Sequence, residues 1–395
     1  MKLCYLVYRE DNVMVFESQV LEYLQNLKAN TDIEQIELLV FRHGEKKAVE
    51  ERIHHFIDKC KTFSSFRVLS IAQLKLNAAR LKRYITKAYG KQEEIAVICR
   101  GEFSTFVAAK AFKNFPNSRI LFDNRGLPIE ESEMRCDSFL HKLNRKMKKR
   151  VLLFAKAHCD MYNFVTDVMR DYYIEKYSYI PTLPYTVIPT LYKAQPVDAE
   201  GLNEIIQNEN YSPDDVVVSY VGSTEVWQSA EQLVEMLKNI GIKYPNVRFF
   251  VLTNGTLPNE ASIPEEVRAR ITVKNVLHHQ IKYYLAMTDW GIVIRDDNIV
   301  NRVAAPTKIA EYLTNGVRIL YSGDIGILSD LKNRSIDAQM INVETEADWL
   351  DRIGEYDKSK QRSVSGDVIN YFDMRIRQKE TLDMIANSFK NIKVR

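Results

Sequence analysis

Short apolar runs alternate with helical patterns along the whole chain, and this alternation restricts the fold most. In the first half the runs are residues 3–8, 36–41, 67–70, 95–99, 119–122, 162–165 and 186–188. In the second they are 216–221, 247–252, 271–273, 290–294 and 317–321. Most do not alternate apolar with polar side chains, so both strand faces must be buried. Between them, Val20, Leu21, Leu24 and Leu27 recur at helical spacing, as Leu233, Leu237 and Ile240 do later. Strands buried on both faces and separated by helices predict an α/β fold with parallel, helix-covered sheets.

A chain of 395 residues exceeds one ordinary core and suits two domains. Pro181, Pro184, Pro189 and Pro196 cluster in 177–210, a segment with little helical period, and place the break there. The expected domains are two Rossmann-like units, 1–190 and 191–370. A charged helical stretch follows at about 367–393, with Ile369, Phe372, Met374, Ile376, Leu382, Ile385 and Phe389 as its apolar positions. Ligands of such sheets lie beyond the carboxyl ends of the strands, so an interdomain cleft is the expected site.

Composition narrows the setting. Apolar residues are 46% and charged residues 27%, as in soluble globular proteins. A net charge of +3 carries no suggestion of nucleic acid. Cys4, Cys60, Cys99, Cys136 and Cys159 are scattered without a CxxC pair, which argues for a reducing compartment and against structural zinc. Residues 1–9 read as a first strand rather than a signal peptide. No stretch approaches the roughly 20 apolar residues of a membrane span. The expected location is the cytoplasm.

The richest local pattern is Ala305-Pro306-Thr307-Lys308-Ile309-Ala310-Glu311-Tyr312-Leu313-Thr314-Asn315-Gly316. It follows the run 290–294 and the charged loop Arg295-Asp296-Asp297, and it precedes the run 317–321. The order strand, loop, helix, strand predicts a βαβ unit. Pro306 suits the first helical position. The N–H groups of Thr307 and Lys308 would then face an anion. Arg295 and Lys308 add charge, and Arg grips phosphate oxygens bidentately. Glu311, one turn in, can accept two hydroxyl hydrogen bonds, and Asn315-Gly316 closes the helix. The plain alternative is an amphipathic helix with Lys308 and Glu311 on its solvated side.

Arg100-Gly101-Glu102 and Asp123-Asn124-Arg125-Gly126 each follow a strand candidate, so Arg100, Asp123 and Arg125 are candidates for contact with a ligand in the cleft. Arg125 could instead pair with Asp123. Gly126 is expected in a turn with positive φ. His278 and His279 are adjacent and share no helix face, and no HExxH, DxD loop or Cys cluster is present, so no metal site is expected. Lys142, Arg145, Lys146, Lys148, Lys149 and Arg150 form a basic run. It reads as a solvated helix face or as a surface for anionic lipid. Nucleic acid is disfavoured because aromatics are not interleaved.

The 306–317 run resembles the nucleotide-sugar motif of GT-B glycosyltransferases, above all the large retaining family 4. Tyr220-Val221-Gly222-Ser223 resembles the loop opening the donor domain of that family, and residues 249–255 resemble its second strand. Residues 276–285 with Thr288-Asp289-Trp290-Gly291 are similar to the segment that holds the base. Ala157-His158-Cys159-Asp160 with Val165-Thr166-Asp167-Val168-Met169 resembles the passage before the linker. Asp123-Asn124-Arg125-Gly126-Leu127 resembles a signature of surface-polysaccharide members. The resemblance implies transfer of a sugar from a nucleotide-diphosphate sugar to a saccharide or lipid-linked acceptor. It also implies retention, independence of metal, and a last helix crossing back onto the first domain. It casts Arg295, Lys308 and Glu311 as catalytic. It makes Gly222, Ser223, Thr253, Asn254, Val276, His278, Pro306 and Thr307 donor-binding. Two positions depart from the pattern. Val303 stands where a further glutamate is common, and residues 223–228 lack the usual cations. A non-catalytic glycan- or partner-binding protein and a nucleotide-sugar epimerase are the alternatives.

Overall fold

The computed structural model describes residues 1–10, 13–43, 53–54, 56–57, 59–65, 70–135, 139–209, 211–212, 214–222, 230–336, 339–356 and 364–390. The chain forms two compact units, Met1–Pro189 with Met374–Arg395, and Thr190–Asp373.

The described residues of the first unit build a parallel sheet from β1 (Lys2–Tyr8), β2 (Gln35–Arg42), β3 (Lys59–Ser64), β4 (Ile95–Arg100), β5 (Ser118–Asp123), β6 (Met161–Phe164) and β7 (Tyr185–Val187). Their order is β3-β2-β1-β4-β5-β6-β7. Leu6 of β1 is in register with Leu39 of β2 and Cys99 of β4. Successive strands step outward from β1 in both directions, so the order reverses between β1 and β4. Such a switch point opens a crevice at the carboxyl ends of its strands. The residues of β1 and β4 are almost all buried, as continuous apolar runs require.

The third strand departs from expectation. It is Lys59–Ser64, whereas 66–69 lie outside the described residues and Ser70 caps a helix. Lys59-Cys60-Lys61-Thr62-Phe63-Ser64 is two-thirds polar, as suits an edge strand with only β2 beside it.

The helices of this unit have ordinary causes. Leu24 and Leu27 are buried in α1 (Glu22–Asn30), which follows a helical turn at Val13–Phe16 and a π-helical turn at Glu17–Leu21. In α2 (Ile71–Ala88), Ser70 accepts from the N–H of Gln73 at 3.2 Å. Its Leu74, Ala78, Leu81 and Ile85 form the buried stripe. Next come α3 (Gly101–Ala111), α4 (Pro128–Arg135) and α5 (Phe139–His158). Both α2 and α5 pack on α3, and α4 packs on α5. Helix α6 (Asp167–Tyr177) is capped by Thr166, which accepts from the N–H of Met169 at 3.0 Å.

The terminal stretch, expected as one helix, is two: Gly366–Phe372 and Met374–Lys390, with Asp373 extended between them. The second packs on α1, β5 and β7. Gln378 Nε2 donates to the Tyr23 carbonyl at 2.7 Å, and the Arg119 guanidinium lies 5.1 Å from the Phe389 ring centre.

The second unit repeats the plan with β8 (Val216–Val221), β9 (Val247–Leu252), β10 (Ile271–Lys274), β11 (Trp290–Val293), β12 (Arg318–Tyr321) and β13 (Met340–Asn342). The order is β10-β9-β8-β11-β12-β13, all parallel, with the reversal between β8 and β11. Helix α7 (Ala199–Asn208) forms within the proline-rich segment, where little helical period was expected; Asp198 accepts from the N–H of Gly201 at 2.8 Å. Leu233, Leu237 and Ile240 of α8 (Ala230–Lys243) join Phe249, Val251 and Ile292 in the core. Helix α9 (Ile281–Met287) precedes β11, and α10 (Ile299–Arg302) and α11 (Thr307–Thr314) follow it. Among the described residues, no helix is long and apolar enough to cross a membrane.

Candidate functional site

In the second unit the site is organised by α11. Buried Ile309, Ala310, Tyr312 and Leu313 hold this helix on the sheet. Tyr312 does so specifically. Its hydroxyl accepts from the N–H of Val221 at 3.0 Å and donates to the carbonyl of Ser219 at 3.2 Å. Gly291 makes room for the ring: a Cβ there would stand 2.5 Å from it. The helix closes on Gly316, whose φ is 71°, with the N–H of Val317 reaching the carbonyl of Tyr312 at 2.9 Å. Its start differs from expectation by one residue. Pro306 is the N-cap, with φ −61° and ψ 134°, and Thr307 is the first helical residue.

This placement buries two charged side chains of α11. Lys308 is 7% exposed and Glu311 8%. The Lys308 Nζ lies 4.3 Å from the centre of the Tyr220 ring in β8. Arg295, just beyond β11, joins the same group. Burial pushes the Lys308 ammonium well below its ordinary pKa, Arg295 pushes it further, and Glu311 opposes both. Arg295 is itself lowered by burial, with Tyr220 and Asp296 opposing. Burial pushes the Tyr220 hydroxyl up to about 12, with Arg295 opposing. Arg295 Nε is buried without a hydrogen-bond partner among the described residues. Buried Lys308 and half-buried Arg295 stand with the buried carboxylate of Glu311, and charge held out of water is costly. An anion would relieve that cost.

The backbone at Arg295 is pinned from β12. Gly323, at φ 74°, comes so close that a Cβ would stand 2.2 Å from the Arg295 carbonyl oxygen. Its N–H donates to Glu344 Oε2 at 3.0 Å. In the loop after Arg295, Arg302 holds Asp297 bidentately at 2.7 and 2.8 Å. Asn301 Nδ2 donates to the Asp296 carbonyl at 2.9 Å, and Val303 is 1% exposed in the core.

The remaining donor candidates follow strands of the same sheet. Gly222 comes after β8 at φ 147°, its N–H on the Leu252 carbonyl at 3.0 Å. Thr253 after β9 is buried and accepts from the N–H of Gly255 at 3.2 Å, while Asn254 is exposed. Val276 is half-buried after β10. His278 begins the turn His278–Gln280, where only its backbone is described, and Ser223 lies outside the described residues. Gly222, Thr253, Asn254, Val276 and Arg295 thus all follow carboxyl ends of adjacent parallel strands, as ligand-binding residues of such sheets do.

In the first unit Arg100 ends β4, Asp123 ends β5, and the two are register partners. The side chain of Arg100 is 8% exposed. Its Nη2 donates to Gln19 Oε1 at 2.7 Å, its Nε to Glu10 Oε2 at 3.3 Å, and its Nη1 is buried without a partner among the described residues. Arg125 pairs with Asp123 at 2.7 Å, and Asn163 Nδ2 donates to the other Asp123 oxygen at 2.7 Å. Gly126 is not in the left-handed region; a Cβ there would stand 2.6 Å from the flexible end of Glu131. Sequence reasoning missed Tyr220, Gly323 and Gln19. Tyr220 reads as core, Gly323 carries only a Ser-Gly-Asp turn signal, and nothing marked the π turn that bears Gln19.

No family model and no curated protein sequence matches the chain. Solved structures do. A glycosyltransferase from Rickettsia africae is 14% identical with a TM-score of 0.69, covering 99% of each chain. HepE from Anabaena in complex with UDP-glucose is 11% identical with a TM-score of 0.64, again covering 99% of each chain. The lipopolysaccharide outer core galactosyltransferase WaaB is 12% identical with a TM-score of 0.65, covering 98% of this chain and 99% of its own. At these identities the likeness shows the fold, and the chain has the two-unit α/β fold named GT-B.

Proposed function

We propose that the protein is a glycosyltransferase that takes a nucleotide-diphosphate sugar on its second unit and passes the sugar to a saccharide or lipid-linked saccharide. The observation that carries the reading is the group of buried Lys308 and Glu311 with half-buried Arg295 on and beside α11. The two cations neutralise the diphosphate as it departs, a task for preorganised charge in a dry site. Glu311 holds the ribose hydroxyls. Gly222 lets backbone approach the phosphates, while Val276 and His278 flank the base. Arg100, Asp123 and Arg125 receive the acceptor.

In the transfer, the bond from the sugar's anomeric carbon to the diphosphate oxygen breaks. A bond from that carbon to the acceptor oxygen forms, and the acceptor proton passes to the departing diphosphate. Attack on the same face retains configuration. With two cations stabilising the diphosphate, this reading assigns no step to a metal. A role in cell-surface polysaccharide assembly accords with WaaB's description as a lipopolysaccharide galactosyltransferase.

Calorimetry against UDP, GDP, CMP and their sugars tests the reading. Binding of one diphosphate series, lost in Lys308→Ala, is the expected result; no binding to any of them would overturn it. A second reading rests on Val303, a buried apolar residue that supplies no second carboxylate at that position. In that case the protein binds a glycan or a partner without transferring.

A further inference from the structure

The segment that leaves β5 is fixed at nearly every residue. The two oxygens of Asp123 receive Asn163 Nδ2 and Arg125 Nε, each at 2.7 Å. The Asn124 N–H donates to the Asn163 carbonyl at 2.9 Å, and its side-chain oxygen accepts from Tyr179 Oη at 3.2 Å. The Gly126 carbonyl accepts from Tyr173 Oη at 2.8 Å. The Leu127 N–H donates to Glu131 Oε1 at 3.2 Å, and the Pro128 carbonyl accepts from Lys148 Nζ at 3.0 Å. In α4, buried Glu130 accepts from Tyr172 Oη at 2.8 Å, Tyr177 Oη at 2.6 Å and Lys176 Nζ at 3.0 Å. Behind the segment stand tyrosines of one short stretch, Tyr172, Tyr173 and Tyr177 of α6 and Tyr179 after it. Ser178 ends α6 at φ 51°, a left-handed backbone that serine seldom adopts, and so turns Tyr179 back on Tyr173, with ring centres 4.8 Å apart. Lys156 Nζ fixes that turn by donating to the Tyr177 and Ser178 carbonyls, each at 2.7 Å.

Within this frame Arg125 keeps donors in reserve. Its Nε, held by Asp123, sets the plane of the guanidinium, while Nη1 and Nη2 donate to no group among the described residues. The side chain is 19% exposed, and neither terminal nitrogen is cut off from solvent as Arg100 Nη1 is. Arg125 also lies just past the carboxyl end of β5, where ligands of a parallel sheet bind. A guanidinium fixed at Nε presents its terminal N–H groups as a fork. The paired oxygens of a carboxylate or phosphate match both arms, whereas a lone sugar hydroxyl matches one. Asp123 already neutralises Arg125 at longer range. The fork therefore favours a ligand that pairs with it closely over one merely drawn by charge.

We propose that Arg125, held in place by the tyrosines of α6 and Tyr179, receives an oxyanion, a carboxylate or a phosphate, on the ligand of the first unit. The acceptor is then an acidic saccharide or one that carries phosphate. Calling the ligand an acceptor rests on the transfer reading; the fork and the chemistry it selects do not. The ion pair with Asp123 is part of the site rather than an alternative to it, because it fixes Nε and turns the free arms outward. Preorganisation of this kind spares the ligand the cost of ordering a long flexible side chain.

The test follows the Arg125 Nε–H resonance in the full-length chain carrying isotope-labelled arginine, assigned from its loss in Arg125→Lys. Should that variant fail to fold, Asp123→Asn, which removes the charge facing Nε, assigns the signal by moving it. The probes are methyl glucuronide, methyl phosphate and methyl glucoside. At least one of the two charged probes should move the resonance with an affinity about tenfold or more above that of the neutral glucoside, as hydrogen bonds to charged groups imply. Response to the glucuronide alone identifies a sugar carboxylate, and response to the phosphate alone a phosphorylated sugar or carrier; each supports the proposal. Tyr173→Phe, which keeps the reporter and frees the Gly126 carbonyl, should weaken the tighter probe about fivefold. A resonance that no probe moves, one that the glucoside moves as readily, or affinity unchanged in Tyr173→Phe would overturn the proposal. So would displacement of the charged probe by UDP, which would give the fork to the donor's own phosphates. If no nucleotide binds anywhere while the charged probe still moves the Arg125 resonance, the transfer reading falls and the oxyanion site stands.

Discussion

The ammonium of Lys308 sits over the ring of Tyr220, 4.3 Å from its centre. One residue belongs to α11 and the other to β8, so the pair ties the helix to the strand whose end carries Gly222. A ring face steadies a cation that Arg295 repels. Tyr220→Leu is expected to weaken nucleotide-diphosphate binding by about 0.5–2 kcal/mol, while Tyr220→Phe, which keeps the ring, should bind nearly as the natural protein does. Calorimetry on both variants decides the matter; equal losses would show that the hydroxyl, not the ring, is what counts.

Lys308 also makes binding proton-linked. Its pKa is lowered in the folded protein, burial being the first cause and Arg295 the second. Between that lowered pKa and the ordinary value of 10.5, the unfolded chain binds more protons than the folded one. Stability therefore rises with pH across that window and levels off above it. A diphosphate beside Lys308 favours the charged amine, so nucleotide binding in the window should take up a proton. Calorimetry in buffers of different ionisation heat should show an apparent enthalpy that follows the buffer, and Lys308→Met should abolish the dependence. A buffer-independent enthalpy in the natural protein throughout the window would remove Lys308 from the anion's surroundings.

Glu311 is buried one turn into α11 and lies near enough to Lys308 to oppose the lowering of its pKa. If it accepts ribose hydroxyls, Glu311→Ala should weaken nucleotide binding by about 1.5–3 kcal/mol. A dideoxynucleotide lacking those hydroxyls should bind the natural protein and the variant alike. A variant that loses affinity equally for both ligands would instead show that Glu311 acts only by balancing Lys308.

In the first unit, Asp123 is 2% exposed and receives Arg125 and Asn163 together. Removing it alone leaves the half-buried Arg125 guanidinium without its carboxylate partner. Asp123→Ala should therefore cost about 3–5 kcal/mol in chemical denaturation, and Asp123→Ala with Arg125→Met should recover much of it. If Arg125 also receives the acceptor, the stable double variant should show a raised KM for acceptor with donor affinity unchanged. An unchanged KM would leave the pair a purely structural one.

Much of the fold was readable because parallel strands buried on both faces announce themselves as unbroken apolar runs. The edge strands were not. Lys59–Ser64 is two-thirds polar, as one covering neighbour allows, and Met340–Asn342 is too short to stand out. The break at Asp373 went unseen because both flanking helices carry the same apolar period. In the candidate site, Arg295, Lys308 and Glu311 stood out because they gather charge at a helix start suited to an anion. Tyr220 did not, since an aromatic residue in a core strand looks like any other core residue. Gly323 did not either, because its importance comes from a backbone that only the tertiary fold brings against it.

That approach yields a sharp expectation. Gly323 has φ 74°, and a Cβ there would stand 2.2 Å from the carbonyl oxygen of Arg295. Backbone cannot yield as the end of a side chain can, so Gly323→Ala must push the loop after β12 or the Arg295 backbone aside. Gly316 supplies the comparison: it has a similar φ of 71°, but at the end of α11 opposite to Lys308. Both alanine variants should lose about 1 kcal/mol or more of stability from the left-handed backbone alone. Only Gly323→Ala should also weaken nucleotide binding, by displacing Arg295, and the loss should shrink when Arg295 has already been replaced by Ala. Denaturant midpoints and calorimetry on the three variants provide the comparison. If Gly323→Ala loses stability but binds as tightly as Gly316→Ala, the position of Arg295 does not govern the anion.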